Sequence, residues 1–148
     1  MPSPGIANAT GIHHVRLTVT DIQRSKAFYQ LLLGEETAFD FSDRADEPGV
    51  REDPAQLYGG TGWTVGDQLL GLRPVADAGD TFRSTRVGLD HVSLQVSSED
   101  DLHAAAARLD EAGVQHGSVD HLEATGMVIL SIQDPDDINL ELVYMPAE

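Results

Sequence analysis

Cysteine is absent from the 148 residues. That removes disulfide frameworks, zinc–thiolate sites and thiol nucleophiles together. Bases are scarce: 9 Lys and Arg stand against 25 Asp and Glu, for a formal charge of −16. A surface of that sign repels phosphate backbones, which excludes nucleic acid as a partner. It would draw in cationic small molecules, or simply keep a small protein in solution. No apolar run approaches the ~20 residues that cross a bilayer, so no membrane partner is expected. Met1 to Thr10 lack a basic stretch followed by an apolar one, the mark of a secretory leader, and a cytoplasmic location is expected. The acidity is also uneven. Residues 88–148 hold 13 acids and one base, Arg108.

What the chain does have is an internal repeat. Gly11-Ile12-His13-His14-Val15-Arg16-Leu17-Thr18-Val19 matches Gly88-Leu89-Asp90-His91-Val92-Ser93-Leu94-Gln95-Val96 at a constant offset of 77. Glycine, histidine, valine, leucine and valine recur in register. Both segments alternate apolar and polar residues, the pattern of a strand with one buried face. A helix follows each. Thr20 or Asp21 would cap the first, which runs to about Leu33 with Ala27, Phe28, Leu31 and Leu32 inward, and Gly34 stops it. Ser97 or Ser98 would cap the second, whose first turn holds Glu99, Asp100 and Asp101 at the positive end of the helix dipole. Its apolar stripe is Leu102, Ala105, Ala106 and Leu109.

Three strand candidates follow each helix, near 36–41, 57–66 and 68–73 and again near 114–122, 126–133 and 138–145. Asp134-Pro135-Asp136-Asp137 joins the last two as a turn. The expected class is α+β: two βαβββ modules forming a curved mixed sheet around a cleft, with helices outside. Residues 1–10 are a tail, 11–73 the first module, 74–87 a linker and 88–146 the second module.

Strand parity then sorts the faces. Val15, Leu17 and Val19, and Val92, Leu94 and Val96, pack on the helices, as do Leu140, Leu142 and Tyr144. His14, Arg16 and Thr18, then His91, Ser93 and Gln95, and finally Asn139, Glu141 and Val143 face the inside of the sheet. Alone, each histidine would read as a hydrogen-bonded structural residue, and Glu141 as a partner for Arg16 or Arg73. Together, two histidines at equivalent repeat positions and a glutamate on the same face form a two-histidine, one-carboxylate set. Such donors suit Fe(II), Mn(II), Ni(II), Co(II) or Zn(II). His13 has packed-face parity and reads as structural or as a strand-edge residue. His103 reads as solvated; His116 and His121 are open.

These residues resemble the vicinal oxygen chelate superfamily, which includes glyoxalase I, fosfomycin resistance proteins, extradiol dioxygenases and bleomycin-binding proteins. The likeness runs from about residue 11 to 146. It rests on the two His-Val-x-Leu-x-Val strands and the closing Asp-Pro-Asp-x-x-x-Leu-Glu-Leu. It implies that His14, His91 and Glu141 bind a divalent metal, which chelates the oxygens of a small-molecule substrate. It also implies a homodimer. Glyoxalase I places a fourth ligand where this chain has Gly71, and extradiol enzymes carry a tyrosine where it has Ser131. Glu141 and Arg16 are the candidate catalytic groups, and Arg73, Trp63, Gln95 and Ser131 the candidate substrate contacts. Trp63, the only tryptophan, is either a pocket wall or core. The competing expectation is a metal-free protein that sequesters a drug or metabolite, as bleomycin-binding relatives do.

Overall fold

Alternation in the first repeat yields strand β1, His14–Thr18, in the computed structural model, which describes residues 1–147. Helix α1, Ile22–Leu33, follows, then the short β2, Phe39–Asp40, and the hairpin of β3, Thr61–Val65, with β4, Gln68–Arg73. The second half runs β5, Val92–Gln95, helix α2, Glu99–Glu111, β6, Asp120–Leu122, β7, Met127–Gln133, and β8, Asn139–Tyr144. Each half is thus strand–helix–three strands, and the class is α+β. The chain divides into two compact units, Met1–Gly79 and Asp80–Glu148.

Hydrogen bonding forms one open four-stranded mixed sheet in each unit, in the orders β1-β4-β3-β2 and β5-β8-β7-β6. β1 runs parallel to β4, and β5 parallel to β8; the remaining pairs are antiparallel. A parallel pair needs a long crossover, and the helix with its following strands provides it.

Both helices begin on the side-chain oxygens that their sequences offer. Asp21 accepts from the Gln23 and Arg24 amides at 3.0 and 3.1 Å, and Ser98 from the Asp101 amide at 3.2 Å. Each such cap is worth ~1 kcal/mol. In α2 the expected stripe holds: Leu102 and Leu109 are buried and Ala105 and Ala106 half-buried. In α1 it does not. The buried residues are Ile22, Ser25, Phe28 and Tyr29, while Ala27 and Leu31 are exposed. The stripe begins at Ile22, in the first turn, and its i, i+3, i+6/7 spacing brings Tyr29 against Trp63 and turns Leu31 away.

Three strands are shorter than expected. The segment 36–41 pairs only at Phe39–Asp40, and 57–66 is strand only from Thr61. Between them the charged loop folds into 3₁₀ turns at Ser42–Arg44, Val50–Glu52 and Pro54–Gly59. Leu57 and Tyr58 there have φ of +46° and +59°, left-handed values that no strand accommodates. The segment 114–122 is strand only at Asp120–Leu122, with one bridge from His116 to Ile132. The acidic turn after β7 is built on Asp134, whose Oδ1 accepts from the amides of Asp136 and Ile138 at 2.8 and 2.9 Å. Asp137 in that turn sits at φ +64°.

The parity assignment of the strands is observed. Leu17, Val19, Leu70 and Leu72 in the first unit, and Val128, Leu130, Ile132, Leu140 and Leu142 in the second, form the core face. Val15, Val92, Leu94, Val96 and Tyr144 are half-buried, while His14, Arg16, Thr18, His91, Ser93 and Gln95 are exposed. Among the described residues no helix is long and apolar enough to cross a membrane.

Candidate functional site

In the second unit the parallel pairing of β5 with β8 sets Ser93 beside Glu141, and the β7–β8 pairing sets Ser131 on its other flank. The Ser93 hydroxyl donates to Glu141 Oε1 at 2.8 Å. The other oxygen, Oε2, lies 3.9 Å from His91 Nε2. Glu141 is only 16% exposed, so its oxygens have few alternatives in solvent. At the other side of the imidazole, His91 Nδ1 lies 2.6 Å from Asp90 Oδ1. A carboxylate only accepts, so Nδ1 carries the hydrogen, and in the neutral ring Nε2 is left with its lone pair. A lone pair and a carboxylate oxygen therefore stand opposite each other, two acceptors that a metal ion or a water donating to both would satisfy. Two ligands each ~2.0–2.2 Å from one ion lie no more than ~4.4 Å apart, so the observed gap admits a shared metal. Gln95, exposed, continues the same face of β5.

The first unit repeats the geometry with different side chains. His14 begins β1 where His91 precedes β5, and its Nδ1 is 2.9 Å from His13 Nδ1. His13 is exposed and meets His14 edge-on, so it is not a packed-face residue; it lies ahead of β1, outside the strand's alternation. The row that holds Ser93, Glu141 and Ser131 in the second unit holds Arg16, Gly71 and Gly62 here. Phe39 pairs with Gly62. A Cβ at Gly62 would lie 2.6 Å from the Phe39 ring, and one at Gly71 3.6 Å from it. The two glycines thus make room for an aromatic ring where the other unit has a serine and a carboxylate.

Arg73, two residues past Gly71, lays its guanidinium 3.7 Å from the Tyr58 ring centroid; that of Arg16 lies 5.8 Å from the same centroid. Trp63 belongs to the opposite side. It is 1% exposed, pairs with Leu70, and donates its indole N–H to the Gly34 carbonyl at 3.0 Å. The expectation of a pocket wall is corrected to core, because Trp63 shares the parity of the helix-packed face.

The remaining histidines bond to acids. His103 and His121 reach the two oxygens of Glu99 at 3.1 and 2.9 Å and hold its carboxyl below the usual range, His103 contributing most. His116 meets Asp110 and the Gly117 carbonyl, both at 2.6 Å. Both partners only accept, so both ring nitrogens donate and the charged form is favoured. The His116 pKa is raised accordingly, chiefly by Asp110.

Strand parity placed His91, Ser93 and Glu141 on one face, as observed; Ser131, expected as a substrate contact, joins them there. Sequence reasoning missed Asp90, Phe39 and Tyr58. A signal for Asp90 was present: it holds the repeat position of His13, directly before the histidine. Within either unit, among the described residues, no three His, Cys, Asp or Glu side chains gather into a complete metal site.

A family model for the glyoxalase/bleomycin resistance protein/dioxygenase superfamily matches residues 11–142. The chain belongs to this superfamily. A glyoxylase/bleomycin resistance protein/dioxygenase domain from Frankia sp. EAN1pec is 30% identical, with a TM-score of 0.74 over 94% of this chain and all of that one. Lactoylglutathione lyase from Agrobacterium tumefaciens is 16% identical, with a TM-score of 0.65 over 93% of this chain and 95% of the other. The fosfomycin resistance protein FosX from Listeria monocytogenes is 15% identical, with a TM-score of 0.65 over 92% and 93%. These last two likenesses are of fold alone. No curated protein matches the sequence significantly. Members of the superfamily include enzymes.

Proposed function

We propose that the chain is a metal-dependent enzyme of the glyoxalase/dioxygenase type, acting on a small oxygen-rich molecule by isomerase, lyase or dioxygenase chemistry. The observation that carries this reading is the pair of His91 Nε2 and Glu141 Oε2, two facing acceptors 3.9 Å apart. The donor set suits Fe(II), Mn(II), Ni(II), Co(II) or Zn(II). His14 is proposed as the third ligand because it holds the repeat position of His91. When bound, the metal would polarise substrate oxygens as a Lewis acid.

The chain's own groups then have distinct tasks. Asp90 fixes the His91 tautomer, and Ser93 orients Glu141 through Oε1. Ser131 and Gln95 offer a hydroxyl and an amide on the same face, and Arg16 and Arg73 supply positive charge. Gly71 brings no side chain to the position equivalent to Glu141. Glu141 would therefore serve both as ligand and, through a carboxylate oxygen, as the group that takes a proton from the substrate.

Elemental analysis of the purified protein tests the reading. About one equivalent of metal in the wild type and little in His91→Ala and Glu141→Ala is the expected result. No uptake by the wild type, even after reconstitution with each of the five metals, would sink it and leave metal-free sequestration of a ligand as the function. Oxygen uptake with catechols under Fe(II), beside an assay with hemithioacetals, then separates the chemistries.

A further inference from the structure

The chain holds 25 acids and 9 bases. Arg51 lies 2.8 Å from Asp46, and Lys26 2.6 Å from Asp40. Among the described residues Arg44, Arg83, Arg86 and Arg108 make no ion pair but stand exposed; Arg16 and Arg73 also make none, and they meet at one ring. Among the described residues neither guanidinium makes an ion pair or a hydrogen bond, and the Arg73 Nε is buried without any partner. Instead both cations lie against one ring, that of Tyr58. Two uncompensated positive charges on one small surface repel each other, and a buried donor left unpaired is costly. Such an arrangement persists where something outside the fold completes it.

The backbone beneath it is also strained. Leu57 and Tyr58 are consecutive non-glycine residues in the left-handed region, and they aim the ring that carries Arg73. Arg16 stands on the same sheet face, on the neighbouring strand and two positions back in register, next to the low surface left by Gly71 and covered by Phe39. Arg73 also borders a cavity of about 570 Å³ in the first unit. Its lining combines the apolar Val75 and Ala76 with Arg51 and the acids Glu52 and Asp77.

We infer that Arg16, Tyr58 and Arg73 form a carboxylate-binding subsite, taking a small organic acid whose apolar body rests against Phe39 or the Val75–Ala76 wall. Guanidinium is the group of choice because its planar fork matches both carboxylate oxygens, and stacking on Tyr58 holds that plane fixed. The inference rests on the reading above for its statement that this face meets substrate. It requires no metal.

Calorimetric titration of the full chain, freed of metal with EDTA, therefore tests it separately. Benzoate is the probe and benzamide its neutral counterpart. Benzoate should bind, and benzamide should bind at least about tenfold more weakly. Arg73→Gln and Arg16→Gln should each weaken benzoate about ten- to a hundredfold, while Arg86→Gln, at an exposed position elsewhere, should leave it unchanged. Tyr58→Leu should weaken it too, by freeing the Arg73 plane. If Arg73→Gln fails to fold, the exposed Arg16→Gln carries the test. Absence of benzoate binding, equal binding of benzamide, or indifference to Arg16→Gln overturns the inference. A protein that takes up metal but not benzoate refutes this subsite alone; one that binds benzoate but no metal refutes the metal reading alone.

Discussion

The two units share order and register and differ along one row of each sheet. In the second, Ser93, Glu141 and Ser131 stand side by side, all polar, with Ser93 hydrogen-bonded to Glu141. In the first, the same three places hold Arg16, Gly71 and Gly62, with a phenylalanine ring over the glycines. The buried faces diverge less. Leu70 and Leu72 match Leu140 and Leu142, because both sheets must pack on a helix, while Trp63 and Thr61 stand where the second unit has Ile132 and Leu130. The scaffold repeats, and the open faces carry the differences. Both units present an imidazole; one adds a carboxylate, the other cations and aromatic rings.

The residue before each repeat histidine sharpens the comparison most. Asp90 accepts from His91 Nδ1 with a charged oxygen, whereas His13 meets His14 Nδ1 with another ring nitrogen. A charged acceptor both fixes the ring and raises its basicity towards a metal. Asp90→Ala should lower metal affinity by about 10- to 100-fold, and His13→Ala by less than about tenfold. Competition against a fluorescent chelator measures both. Equal losses, or none, would show that these neighbours do not orient the ligands.

How much of this could be read from the chain follows from the same contrast. The repeat and its alternation were enough for the order of elements, the packed face, and the placing of Glu141 on the same face as Ser93. These depend on period two and on pairing register, which are local properties of the sequence. The α1 stripe was misread because Leu31 and Leu32 are as apolar as Ile22 and Tyr29, and only the position of Trp63 decides which side is buried. Tyr58 was lost inside an expected strand, because its left-handed backbone is imposed by the turn from Pro54 and not by its own preference. Phe39 and Gly62 were missed as a pair because they are 23 positions apart and meet only through sheet register.

That pair offers the next test. A Cβ at Gly62 would sit 2.6 Å from the Phe39 ring, so Gly62→Ser must displace it. Overpacking of this kind should destabilise the fold by about 1–2 kcal/mol. The reverse exchange in the second unit, Ser131→Gly, removes an exposed side chain and costs less, about 0.5–1 kcal/mol from the flexibility of glycine in a strand. Denaturant melts of both variants, and of Gly62→Ser combined with Phe39→Ala, measure the difference. If the ring is the obstacle, the double variant recovers the part of the loss due to the clash. If it recovers none, the glycine serves the backbone and not Phe39.

The smallest expected effect comes from charge. Four of the six histidines lie in the second unit, and each bonds a carboxylate, whereas the two in the first unit bond only each other. His116 shows the consequence. Its hydrogen bond to Asp110, helped by the Gly117 carbonyl, raises its pKa above the ordinary 6.5. Below that value both folded and unfolded chains carry the proton, and the stabilisation is fully present. As pH rises through the raised value, the folded chain loses the proton and the contribution disappears. Wild type should therefore exceed His116→Gln in stability by on the order of 0.5 kcal/mol near pH 6, after screening by solvent, and the two should converge towards pH 9. Melting curves at both pH values in low salt read this directly. A gap that widens with pH would reverse the sign and show that the neutral ring is the form the second unit holds.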